Sequence, residues 1–122
     1  MPPAKIEQLE GQGNNFYRAG RLQEAKACYL EVLKHQPKHY GALTGLGLVE
    51  FQAKNAPQAC KYFLKALKVK PDHKGALLSL ANVYSQTAQF SESVKYYRKY
   101  IKVDKHNPAA YFYLGCSYMQ ID

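Results

Sequence analysis

Residues 40–73 read YGALTGLGLVEFQAKNAPQACKYFLKALKVKPDH, and sliding this stretch by 34 positions in either direction brings it onto partial copies of itself. Upstream, LQEAKACYLEVLKHQPKH (22–39) lies over APQACKYFLKALKVKPDH (56–73), pairing Ala25 with Ala59, Tyr29 with Phe63 and Pro37 with Pro71. Downstream, LLSLANVY (77–84) lies over LTGLGLVE (43–50), and LGCSY (114–118) follows one period later. A fixed period of this length implies one supersecondary unit tiled against its neighbours, because such a unit cannot bury its apolar face alone.

The unit itself reads as two amphipathic helices. Leu43, Leu46 and Val49 recur at a spacing of three, and Ala59, Tyr62, Phe63, Ala66 and Leu67 at three and four. Between the two series, Asn55 suits a helix N-cap, and Pro57 suits a first turn, where its missing N–H costs nothing. Pro71 ends the second helix by disfavouring helical geometry in the residue before it. Gly47, Ala59 and Ala66 are small enough to let the helix axes approach to roughly 8–10 Å. The expected unit is therefore a closely packed helical hairpin.

This pattern resembles the tetratricopeptide repeat, whose units place Leu-Gly, an aromatic, Ala, Phe/Tyr, Ala and Pro at set positions. The central copy supplies Leu43, Leu46, Gly47, Ala59, Phe63, Ala66 and Pro71, with Glu50 at the aromatic place. The first supplies Leu9, Gly13, Phe16, Gly20, Ala25, Tyr29 and Pro37; the third supplies Leu77, Leu80, Ala81, Tyr84, Phe90 and Tyr97. A fourth begins at Pro108 and gives Tyr111, Leu114, Gly115 and Tyr118. The resemblance implies an all-α, right-handed superhelical solenoid of antiparallel helix pairs, with units at about 6–39, 40–73 and 74–107 and a half unit at 108–122. The expected organisation is one domain over 1–122.

Expected helices run over about 5–18, 22–35, 40–52, 57–69, 73–86, 90–103 and 108–120, after a frayed lead-in at 1–4. Gly20 suits the left-handed position that closes a helix. Phe112, Tyr113, Met119 and Ile121 make the last helix a poor solvent-facing cap, which points to a longer protein or to another molecule on that surface, self-association included.

Composition narrows the function classes. The chain is 47% hydrophobic and 13% aromatic, with 11 tyrosines and no tryptophan, which is ample for a continuous core. Cys28, Cys60 and Cys116 are too scattered for a disulfide framework or a zinc site, and read as reduced residues in or near the core. His35, His39, His73 and His106 fall at the inter-repeat turns without metal-ligand spacing, and Glu7 and Glu10 read as a solvated face. No phosphate loop, nucleophile elbow or metal motif is present, so neither catalysis nor a cofactor is expected. With no secretory signal or spanning run, a cytoplasmic location is the default expectation.

The formal charge is +8, and residues 108–122 hold none of the basic ones. Lys61, Lys65, Lys68, Lys95, Arg98, Lys99 and Lys102 recur at three and four along the second helices of the middle copies, giving a basic face. That face keeps a greasy solenoid soluble or, with Tyr96 and Tyr100 alongside, meets an acidic partner or an anionic membrane surface. Nucleic acid is not favoured, for want of a dedicated motif.

In the family the first helix of each unit lines a concave groove for peptides, and the second forms the outer face. Carried onto this chain, that implies a groove lined by Asn14, Tyr17, Leu48, Phe51, Leu78, Asn82, Phe112 and Tyr113. The asparagines would bond the backbone of an extended peptide, and the apolar residues would take its side chains. The family branch that grips chaperone C-termini uses Lys, Asn, Asn, Lys and Arg at places where this chain has Glu10, Asn14, Gly45, Gly75 and Ser79. A terminal carboxylate would face Glu10 and no cation, so that clamp is not expected. The expected function is a non-catalytic adaptor or scaffold. The alternatives are the N-terminal portion of a larger glycosyltransferase or sulfotransferase, presenting acceptor proteins, and a membrane-surface scaffold using the basic face.

Overall fold

The computed structural model describes residues 2–121; Met1 of the expected lead-in and Asp122 of the expected half unit lie outside them. Seven helices follow one another: α1 (Pro3–Arg18), α2 (Leu22–His35), α3 (Tyr40–Gln52), α4 (Ala56–Val69), α5 (Lys74–Gln86), α6 (Phe90–Val103) and α7 (Pro108–Met119). One expectation fails at the start. Of the expected frayed lead-in, Pro3 and Ala4 are helical instead: Pro3 opens α1, its fixed φ already suited to a first helical turn.

The helices pack as antiparallel pairs, α1 on α2, α3 on α4 and α5 on α6, with α7 on α6, and each pair stacks on the next through α2–α3 and α4–α5. α1 also meets α3, and α3 meets α5, so the first helices of successive units lie on the tighter side of the stack. The core is built on one repeated contact. The rings of Tyr29, Phe63 and Tyr97 are buried between the helices of their own units. Facing them are Gly13, Gly47 and Ala81, one period apart; a Cβ at Gly13 would sit 2.9 Å from the Tyr29 ring, and one at Gly47 would overlap Phe63.

The turns inside the first three units share one geometry. Gly20, Lys54 and Ala88 occupy the same place and have φ of 77°, 67° and 60°. In each, the next residue's N–H reaches back to a carbonyl of the preceding helix: Arg21 to Phe16 at 2.9 Å, Asn55 to Glu50 at 2.8 Å and Gln89 to Tyr84 at 2.8 Å. Asn55 caps α4 as its sequence position suggests, its side chain accepting from Gln58 N–H, and Asn107 caps α7 by accepting from Ala109 N–H.

Glu50, the departure from the aromatic place, is buried but not alone. Lys26 Nζ lies 3.1 Å from Oε1, and Asn55 Nδ2 donates to Oε2 at 3.2 Å. A buried carboxylate without such partners would be strongly destabilising. At the last joint, the hydroxyls of Ser93 and Ser117 share a hydrogen bond at 2.9 Å, where the inner joints place Ala25 and Val49, and Ala59 and Val83.

Candidate functional site

The side lined by α1, α3, α5 and α7 carries the residues expected to meet a peptide, and the fold treats them unequally. Asn14 and Asn82 are not free amides. Tyr29 donates its hydroxyl hydrogen to Asn14 Oδ1 at 2.5 Å, and Tyr97 donates to Asn82 Oδ1 at 2.6 Å. Burial pushes both hydroxyls up to about 12, with nearby carboxylate, hydroxyl or thiol groups adding to it, so at neutral pH they remain protonated donors. With its oxygen held this way, each amide still has two N–H donors to offer. The middle unit replaces both partners together: Leu48 stands for the asparagine and Phe63 for the tyrosine.

Leu48, Phe51 and Leu78 are half-buried and pack against the cluster that holds Phe63, Leu77 and Tyr97. Tyr17 is half-buried too, and its hydroxyl accepts from Gln52 Nε2 at 3.4 Å. Phe112 and Tyr113 are open to solvent, edge to face at 5.5 Å, and Tyr113 also stacks on Tyr97 at 6.3 Å.

Two shallow hollows lie along this side. One, of about 330 Å³, is lined by Phe51, Gln52, Lys54, Ala56, Gln86 and Thr87. The other, of about 170 Å³, is lined by Asn82, Ser85, Gln86, Tyr97 and Tyr113. Gln86 borders both, so an apolar edge (Phe51) and an amide (Asn82) stand on either side of it. Lys54 stands at the first hollow, in the middle of the α3–α4 turn.

The chaperone-clamp places are differently occupied. Glu10 Oε1 faces His39 Nε2 at 3.7 Å, and His39 Nδ1 accepts from Ala42 N–H at 3.0 Å. Gly45 is buried, and any side chain there would collide with the Tyr29 ring.

All seven cations of the basic face are exposed, and none of them joins an ion pair among the described residues. The two tyrosines expected beside them are not surface residues. Tyr96 is buried with Lys95 and Lys99 lying over its ring at 5.4 and 5.0 Å, and Tyr100 donates to Asp104 at 3.0 Å while accepting from Asn107 at 2.9 Å. Apolar spacing on α6 turns both rings into the core.

A third hollow escaped sequence reasoning. It measures about 500 Å³ and is lined by Pro37, Lys38, Leu43, Lys65, Lys68 and Val69, from the α2–α3 turn, α3 and α4. Lys65 and Lys68 belong to the expected basic face; Lys38 joins them only through the fold.

Cys28 and Cys60 are half-buried with thiols pushed up, chiefly by burial, whereas Cys116 is exposed and so departs from its expected near-core place. Among the described residues no group of three or more His, Cys, Asp or Glu could hold a metal ion, and no helix is long and apolar enough to cross a membrane.

Tetratricopeptide-repeat profiles match residues 11–76 and 75–107. No curated protein matches the chain. Among solved structures, it is similar to the first TPR of Spaghetti (RPAP3) bound to the HSP90 peptide SRMEEVD, at 18% identity and a TM-score of 0.91, covering 98% of this chain and 97% of that one. The Arabidopsis OM64 TPR domain aligns at 16% identity and a TM-score of 0.89, over 95% and 96% of the two chains. A mutant Thermobaculum terrenum O-GlcNAc transferase aligns at 20% identity and a TM-score of 0.86, over 93% of this chain but only 22% of that one.

Proposed function

The chain belongs to the tetratricopeptide repeat family, and on that footing we propose that residues 1–122 act as one non-catalytic scaffold that holds an extended peptide along the α1, α3, α5 and α7 side. The observation that carries this reading is the pair of hollows that share Gln86, one lined by Phe51 and the other by the amide of Asn82. An extended backbone offers a carbonyl and a side chain in alternation, and this pairing offers a donor and an apolar seat. Asn14, Tyr17, Leu48 and Leu78 continue the lining toward α1, and Phe112 and Tyr113 toward α7. The first TPR of Spaghetti (RPAP3) was solved with a peptide bound, which supports a protein partner. Glu10 and the walled-in Gly45 argue against a carboxylate clamp of the chaperone-binding sort.

Peptides selected from a random display library give the test. Phe51→Ala combined with Asn82→Leu/Tyr97→Phe removes the seat and the donor while copying the packing that the middle unit already uses. Selected peptides should bind this variant at least about tenfold more weakly, the loss of one apolar contact and one hydrogen bond. Unchanged affinity would remove this side of the molecule from the reading.

A second reading has one observation in its favour. The alignment with the O-GlcNAc transferase covers nearly all of this chain and about a fifth of that enzyme. A catalytic domain in the same reading frame would make the repeats an acceptor-presenting portion of a glycosyltransferase or sulfotransferase. The exposed aromatic side of α7 also supports self-association, which sedimentation over a range of concentrations would reveal.

A further inference from the structure

From the hollow at the joint between the first two units, we infer a second binding site, separate from the peptide side, for an acidic peptide segment that inserts one apolar side chain. Its floor is aliphatic: Pro37 from the α2–α3 turn, Leu43 from the first turn of α3 and Val69 from the end of α4. Its rim is cationic, formed by Lys38, Lys65 and Lys68, all exposed and none in an ion pair among the described residues. Leu43 and Phe51 are eight residues apart on α3, about 12 Å along its axis, so the two sites lie toward opposite ends of the same helix.

The shape selects the ligand class. The hollow, of about 500 Å³, sets three aliphatic side chains among three lysines, which suits a chain segment that brings an apolar side chain and negative charge together. It also offers no aromatic platform on which a base would stack. What fits is an apolar residue flanked by carboxylates, its side chain seated on Leu43 and Val69 and its charges met by three ammonium groups that join no ion pair among the described residues, Lys65 lying over the Tyr62 ring at 5.7 Å.

The molecule carries its own comparison. One period on, the same positions are Pro71, Asp72, Leu77, Lys99, Lys102 and Val103. The apolar set and two of the lysines are repeated, but Asp72 replaces Lys38, so that place has one net positive charge instead of three. The first joint is therefore the selective one.

A short dye-labelled peptide with one leucine set among aspartates, followed by fluorescence anisotropy at about 0.15 M salt, tests this. Lys65→Glu/Lys68→Glu should weaken binding about tenfold or more, and Lys38→Asp alone about threefold, whereas the period-shifted Lys99→Glu/Lys102→Glu should change it less than about twofold. Replacing the peptide's leucine by serine should cost at least about fivefold. Phe51→Ala should leave binding untouched, so failure here is distinguishable from failure of the peptide-side reading. Equal losses from the two lysine pairs, indifference to the leucine, no saturable binding, or tighter binding of anionic vesicles or an RNA oligomer than of the peptide would each overturn the proposal.

Discussion

α3 and α7 are written in the same register and end in opposite surroundings. Leu43, Leu46, Gly47 and Glu50 of α3 correspond to Tyr111, Leu114, Gly115 and Tyr118 of α7. Yet eight residues of α3 are buried, while α7 buries only Ala110 and Ser117. The difference is in the neighbours: α3 has helices before, after and beside it, whereas α7 packs chiefly on α6. The two glycines show it most directly. A Cβ on Gly47 would run into the Phe63 ring, and one on Gly115 would meet nothing within 4 Å. In a solenoid the apolar pattern states which face needs covering, and the next element decides whether it is covered.

The largest expected effect breaks that contrast at its centre. Phe63 is fully buried and Phe112 is 65% exposed. Phe63→Ala should destabilise by about 3–5 kcal/mol, since it removes a ring and leaves a cavity, while Phe112→Ala should cost less than about 0.5 kcal/mol. Urea unfolding followed by circular dichroism reads both. Comparable losses would mean that α7 is covered in solution, with self-association the first explanation to check.

The glycine pair comes next and should differ in sign. Gly47→Ala forces the Phe63 ring aside in a filled core, at a cost of about 1–3 kcal/mol. Gly115→Ala should stabilise by about 0.5–1 kcal/mol, because a helical glycine surrenders more backbone entropy than alanine and no neighbour objects. Thermal melts of the two variants suffice. Destabilisation by Gly115→Ala would show something packed against that face.

How much of this could be read from the chain follows from the same contrast. Helix limits were legible to within two residues because prolines, Gly20, Asn55 and Asn107 punctuate the period, the start of α1 at Pro3 differing most. Which rings are buried was legible wherever a following helix exists to bury them, as for Tyr29, Phe63 and Tyr97. The engagement of Asn14 and Asn82 was not anticipated, although a signal was present. Asparagine with tyrosine fifteen positions on, in the first and third units, becomes leucine with phenylalanine in the middle one. The lysine-rimmed hollow had no local signal, since Lys38, Leu43 and Lys65 come from three separate elements.

That paired replacement yields the third test. Asn82→Leu alone removes the acceptor of a hydroxyl belonging to a buried ring, and should cost about 1–3 kcal/mol. Adding Tyr97→Phe removes the orphaned donor, so the double variant should recover most of the loss and give repeat three the interior of repeat two. A double-mutant cycle measures the coupling. Additive losses would mean that the 2.6 Å bond is not what ties these residues together.

The smallest effect concerns the turns that bind each pair of helices, where α3 again has a counterpart to measure against. α1 leaves through Gly20, but α3 and α5 leave through Lys54 and Ala88 at nearly the same positive φ. A side chain there crowds the following carbonyl, which glycine avoids. Lys54→Gly and Ala88→Gly should each stabilise by about 0.5–1 kcal/mol, less whatever entropy glycine adds to the unfolded chain. Gly20→Ala should cost a similar amount, and melting temperatures would rank the three. If Ala88→Gly helped but Lys54→Gly did not, the lysine side chain would be contributing through the hollow it shares with Phe51 and Gln86, and the turn after α3 would belong to the binding surface as much as to the fold.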